Sequence, residues 1–146
     1  MDQTVTAPGS RLLERWMASP LLSLETLKQR QNCVHEFVQA PGLMSDLQQS
    51  LKKIRDLERI LGRLQNKIQN PRELGGIRDS LNKLPQIQTI LAEFPDTPIA
   101  SLAKNVHTFD RLSQRLSEAL NDELPSKIDE GGTIREGFDP ELDRLK

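Results

Sequence analysis

IASLAKNVHTFDRLSQRLSEAL, residues 99–120, decides the fold class. Its apolar positions are Ile99, Leu102, Val106, Phe109, Leu112, Leu116 and Leu120. Every step between them is three or four residues, which places them on one face of an α-helix. A helix over the whole stretch would be about 33 Å long. It is the longest element the spacing predicts, and long enough to pack against antiparallel neighbours.

The same periodicity runs upstream, in shorter pieces separated by proline and glycine. Asn70-Pro71-Arg72-Glu73 has the form of a helix start: a capping Asn, a proline at the first helical position, and a Glu placed to reach back to the cap. Leu74, Ile77, Leu81 and Leu84 follow at helical spacing, and Pro85 closes or limits that helix. A short helix is expected over 86–93 and a loop over 94–98. Leu43, Leu47 and Leu51 mark one short helix, and Ile54, Leu57, Ile60, Leu61 and Leu64 mark the next face, with a kink near Lys52-Lys53. Ser23 reads as the N-cap of a helix carrying Leu24, Leu27, Val34, Phe37 and Val38, a stripe weakened by Gln31. Leu12, Leu13, Trp16 and Met17 form a first short stripe, ended at Ser19-Pro20.

Downstream the texture changes. Asp129-Glu130-Gly131-Gly132 and Glu136-Gly137-Phe138 read as turns around a brief extended Thr133-Ile134-Arg135. Asp139-Pro140 is another cap-plus-proline start, six residues before the last residue, and a helix stopped so soon suggests an excised fragment.

Composition agrees with helices. The chain has 146 residues with 23 Leu against 9 Ile and 4 Val. Leu keeps its rotamer freedom in a helix and β-branched residues do not. The expected fold is all-α: a multihelical bundle of several short helices and one long one, with a short turn-rich extended segment near the C-terminus. The length fits one domain over residues 1–146. No apolar run is long enough for a membrane span or a signal peptide. One cysteine makes no internal disulfide and fits a reducing, cytoplasmic setting.

The function classes narrow from the same numbers. A net charge of -1 excludes nucleic-acid binding by bulk charge alone. Aromatics are only 3%, too few for a base-stacking platform. Cys33, His35 and His107 lack zinc-ligand spacing. His107, Asp110 and Ser113 imitate a triad at i,i+3 spacing, but no G-x-S-x-G elbow exposes the serine. The acid pairs Asp122-Glu123 and Asp129-Glu130 read as solvated neighbours, and no phosphate-cradling glycine loop is present. No catalytic, cofactor or metal residue is expected. Charge is uneven, however. Between positions 46 and 79 eight bases meet five acids, a balance of +3, while positions 117–146 carry -5. Arg55, Arg59 and Arg63 recur every four residues and would line one helical face, a candidate for weak phosphate or partner contact. A solvated face with local ion pairs such as Arg55–Glu58 and Arg59–Asp56 is the favoured reading for the chain by itself.

Four stretches carry a family resemblance. TVTAPGSRLLERWMASPL (4–21), IRDLERILGRL (54–64), NPRELGGIRDSL (70–81) and DEGGTIREGFDPELDRL (129–145) resemble, in order and with matching spacing, the core or lever domain (domain III) of the bacterial MutS DNA mismatch repair family. The resemblance implies a non-catalytic structural and coupling segment, linking a DNA clamp to an ATPase. It implies a parent protein that binds mismatched DNA as a dimer and uses ATP and Mg. The family's mismatch-reading Phe-x-Glu and its Walker motifs have no counterpart here, so neither base readout nor ATP hydrolysis carries over to any residue. The helix beginning near Asp139 would lead into the clamp. A freestanding helical adaptor that binds another protein, through the basic face or a leucine groove, is the alternative.

Overall fold

A computed structural model describes residues 2–67, 70–94 and 97–145. Among them are nine α-helices, one 3-10 turn at Ile128–Glu130 and a single isolated antiparallel bridge between Leu120 and Ile134. The fold is all-α, as the leucine periodicity predicts. The helices fall into two compact units, each built from two separate stretches of chain.

The first unit comprises Met1–Asp56 and Lys83–His107. It holds α1 (Ala7–Ala18), α2 (Leu24–Gln39), α3 (Pro41–Leu51), α6 (Leu84–Ala92) and α7 (Pro98–Asn105). Its core is Leu47, Ile87, Ile90, Leu91, Phe94, Ile99 and Ala103, with Cys33 and Phe37 of α2 and Ala40 just after it packed against it. The Phe37 and Phe94 rings meet edge to face, centroids 5.2 Å apart. Arg11 forks onto both carboxylate oxygens of Asp56 at 2.8 and 3.0 Å, fixing α1 to the connection after α3.

The second unit comprises Leu57–Asn82 and Thr108–Lys146. It holds α4 (Leu57–Gln65), α5 (Pro71–Leu81), α8 (Asp110–Ala119) and α9 (Pro140–Leu145). α5 packs on both α4 and α8.

Local chemistry places the helix starts where expected. The Ser23 hydroxyl accepts from the Thr26 amide, and the Asn70 side-chain Oδ1 accepts from the Arg72 amide at 3.0 Å. Asp139 accepts from the amides of Glu141 and Leu142. Pro85 opens α6 rather than merely ending α5, because its missing N–H falls where a helix has no use for one. Lys52-Lys53 is a full break, not a kink: α3 stops at Leu51 and α4 starts at Leu57. Of the expected loop over 94–98, Pro95 and Asp96 lie outside the described residues.

Two expectations are corrected. Residues 99–120 are not one helix. α7 ends at Asn105, Val106 is extended, and Phe109 sits in the left-handed region with φ 52° before α8 begins. The break has an identifiable cause. The Gln88 side-chain amide donates to the carbonyls of Ala103 and Val106, at 3.2 and 3.1 Å. A continuing helix would commit those carbonyls to residues 107 and 110. The β-branched pair Val106 and Thr108 weakens the helical alternative further. The middle of the expected stripe is consequently exposed, Phe109 at 57% and Leu112 at 48%. The second correction concerns α2. Of its expected core stripe only Phe37 packs against the core, and Leu24, Leu27, Val34 and Val38 face solvent.

Candidate functional site

The densest polar organisation lies in the second unit, where α5 receives the turn-rich segment 119–135. Pro71, Gly75, Gly76, Ser80 and Leu81 form the buried side of α5. Gly75 leaves room for Leu124: a Cβ there would lie 2.5 Å from the Leu124 Cδ1. The Ser80 hydroxyl donates back to the Gly76 carbonyl at 2.6 Å, so its buried polar group is satisfied within the helix.

Arginines then hold the segment by its backbone. Arg72 Nε donates to the Leu124 carbonyl at 3.2 Å, and Arg78 Nη1 donates to the Asn121 carbonyl at 2.9 Å. The Arg78 side chain is only 11% exposed, so this charged donor is largely desolvated and its acceptor matters to stability. Arg78 Nε also donates to Asp79. Within the segment, Leu120 and Ile134 form the bridge: the Asn121 amide donates to the Thr133 carbonyl, and the Arg135 amide to the Ala119 carbonyl. The Asn121 side chain donates to the Gly132 carbonyl at 2.7 Å. Arg135 Nη2 reaches the Leu120 carbonyl and the Asp122 carboxylate. The reversal between the bridge partners uses Gly131 and Gly132, both with φ near +70°, which side chains seldom adopt.

The start of α9 is fixed in the same manner. The Gly137 amide donates to Asp143 at 2.8 Å, and Arg115 of α8 lies over the Phe138 ring. The arrangement is a chain of backbone captures. It ties the turn-rich segment to α5 and the start of α9 to α8.

Capping at Asn70 differs from expectation in one partner. Glu73 forms an ion pair with Arg63 of α4 instead of reaching back to the cap. Of the three predicted basic residues, then, Arg63 is engaged by Glu73, Arg59 lies one turn earlier on α4, and Arg55 precedes the helix. Arg59 and Arg63, four residues apart on α4, share a side of that helix, and only Arg55 stands off it.

His107 lies in the connection ahead of α8, so the i,i+3 register with Asp110 is lost. The Ser113 hydroxyl is hydrogen-bonded to Asn82. Asp122 is paired with Arg135, and Glu130 accepts from the Ser126 amide. Cys33 faces the core of the first unit, where burial, aided by the Glu36 carboxylate, pushes its thiol pKa up. That disfavours the reactive thiolate. Near the N-terminus the Ser10 hydroxyl, followed by the Thr4 amide, hydrogen-bonds Asp2 and lowers its pKa to about 2. Among the described residues no group of three or more His, Cys, Asp or Glu is placed to hold a metal ion, and no helix is long and apolar enough to cross a membrane. An open groove of about 890 Å³ runs along α7, lined by Phe94, Thr97, Lys104 and their neighbours.

The docking arginines Arg72, Arg78 and Arg135 were not singled out by sequence reasoning. Arg72 and Arg78 look like ordinary surface positions of a helix and Arg135 like one of a turn-rich segment, and their acceptors are carbonyls some 15 to 52 residues away.

Comparison with known proteins adds the family. The profile of MutS domain III matches residues 1–145. DNA mismatch repair protein MutS of Symbiobacterium thermophilum is 37% identical over 146 residues, covering 100% of this chain and 17% of the relative. DNA mismatch repair protein MutS of Thermosynechococcus vestitus is likewise 37% identical over 146 residues, with the same shares. That of an Exiguobacterium species is 35% identical over 145 residues, 99% of this chain. The chain spans about a sixth of the length of these relatives. A match to domain III over residues 1–145, together with relatives 35–37% identical over essentially the whole chain, establishes that the chain belongs to the MutS domain III family.

Proposed function

We propose that this chain is the structural and coupling segment of a MutS-like mismatch repair ATPase, passing conformational change between a DNA clamp and an ATPase domain without performing catalysis itself. In this reading, mismatched DNA, a second MutS-like subunit, the clamp and ATPase domains, and ATP with Mg all belong to the longer cytoplasmic protein. The observation that carries it is the backbone docking of 119–135 onto α5 by Arg72 and Arg78, in a chain of the domain III family. Coupling over distance needs packed elements with few arrangements, and the nearly buried Arg78 donor, with the exposed Arg72 beside it, supports such a fixed segment. Arg55, Arg59 and Arg63 are proposed only as a weak phosphate or partner contact, with Arg63 already committed to Glu73.

The test is the pair Arg72→Met and Arg78→Met in the MutS-length protein that carries this segment. Mismatch stimulation of ATP hydrolysis falls by at least about fivefold while basal hydrolysis and mismatch affinity persist, as expected when a coupling free energy is removed and both sites survive. Unchanged stimulation in a double variant that keeps its helical circular dichroism refutes the proposal.

A further inference from the structure

α2 carries two stripes, and the packed one is the less apolar. Thr26, Arg30, Cys33, Phe37 and Ala40, spaced by fours and threes, are its half-buried side. Roughly 110° around the helix lie Leu24, Leu27, Gln31, Val34 and Val38, spaced three, four, three and four. Leu24 is 66% exposed, Leu27 38%, Val34 62% and Val38 65%. Strict alternation of threes and fours with aliphatic residues at every place but one is the a/d seam of a two-helix coiled coil. The exception, Gln31, falls at the central a position, where a single polar side chain sets register and partner choice.

The charged residues beside the seam are both basic: Lys28 falls at an e position and Arg30 at a g position, while His35 takes the next e and the core-packed Phe37 the next g. The Arg30 guanidinium is held beside the seam by the Trp16 ring, 3.6 Å from its centroid. The two acids of α2, Glu25 and Glu36, fall at b and f, away from the seam.

We propose that the exposed face of α2 is the docking site for an amphipathic α-helix whose own three-four apolar seam is flanked by acidic residues. Charge complementarity selects this occupant. A second copy of α2 would set Lys28 and Arg30 against the same bases. A membrane surface prefers a broad apolar face, whereas this seam is narrow and interrupted by Gln31 at its centre. The site lies wholly within the first unit and stands independently of the coupling reading.

Trp16 is the only tryptophan, and it reports on Arg30 directly. The probe is a synthetic helical peptide about three heptads long, without tryptophan, with Leu at a and d except for one Asn opposite Gln31, and Glu at e and g. Its twin carries Lys at e and g. The acidic peptide shifts Trp16 emission saturably and binds at least about tenfold tighter than the basic twin at low salt, a gap that narrows as salt rises. Val34→Glu, at an exposed position, lowers the affinity at least about tenfold with helical circular dichroism unchanged. Gln31→Leu lowers it about fivefold by leaving the Asn of the peptide unpaired. Equal binding of the twins, no binding, or full binding by Val34→Glu overturns the proposal. So does self-association of the chain that Val34→Glu abolishes, which makes a second copy the occupant, or seam-dependent binding to mixed phosphatidylcholine–phosphatidylserine vesicles, which makes it a membrane.

Discussion

Gly75 and Gly62 lie in the interiors of neighbouring helices of one unit, and replacing each by Ala separates intrinsic helix preference from tertiary fit. In a helix interior, Gly→Ala gains about 1 kcal/mol from backbone entropy alone. At Gly62 nothing lies within 4 Å of the new Cβ, so the gain is kept. At Gly75 the new methyl lies 2.5 Å from Leu124 Cδ1, far inside the roughly 3.5–4 Å of ordinary carbon contact. Leu124 Cγ is already at 3.8 Å, so only the tip of the side chain must retreat. The segment cannot retreat as a whole, because Arg72 holds the Leu124 carbonyl. Turning the tip about 30° off its rotamer costs about 0.5–1.5 kcal/mol, and moving it to another rotamer forfeits up to about 0.8 kcal/mol of burial. Gly75→Ala therefore comes out near zero, while Gly62→Ala stabilises by about 1 kcal/mol. With Leu124→Ala in the background the obstacle is gone and Gly75→Ala recovers its gain, a coupling of about 1 kcal/mol in the double-mutant cycle. Urea unfolding followed by far-UV circular dichroism measures all four variants. If Gly75→Ala stabilises as much as Gly62→Ala with Leu124 intact, or if Leu124→Ala changes nothing, the close packing of α5 on segment 119–135 is refuted.

Phe94 is 3% exposed and edge-on to Phe37, so Phe94→Ala should cost about 3–5 kcal/mol in the first unit; a midpoint shift equivalent to less than about 1.5 kcal/mol would contradict its place in the core. Phe109→Ala should cost less than about 1.5 kcal/mol, where a buried position in one long helix would cost about 2–5 kcal/mol, and the same unfolding curves decide between them. The Asp2 carboxyl should titrate with a midpoint of about 2 by NMR, and Ser10→Ala should move it upward toward 3.8. Because folding lowers this pKa, the contribution of Asp2 to stability is present above about pH 4 and is lost as pH falls toward 2. Cys33 should react with iodoacetamide more slowly than an unstructured cysteine peptide at the same pH, since its thiol ionises at higher pH; an equal rate would place it outside the core contact.

The parts of the fold legible in the sequence are those decided within a few residues. Ser23, Asn70 and Asp139 cap helices because a capping side chain needs only an amide two or three residues ahead. Gly131-Gly132 and Gly137 turn the chain because their conformations are closed to most side chains. Leucine at helical spacing establishes the all-α class, and four ordered stretches carry the family. The parts that were not legible involve distant partners. The helix over 99–120 is broken by an amide from Gln88, up to 18 residues upstream, a competitor that periodicity does not register. The face α2 buries is chosen by where Phe94 and its neighbours stand, not by which stripe is the more apolar. The Arg72 and Arg78 docking contacts cross 52 and 43 residues to reach carbonyls, acceptors that every residue possesses and that no pattern of side chains marks. Sequence alone determined where the helices capped by Ser23, Asn70 and Asp139 start and which class of fold they make, because capping and periodicity act locally. Tertiary structure decided which faces are buried, where the predicted long helix breaks and what the arginines hold, because those outcomes depend on what distant segments bring into reach.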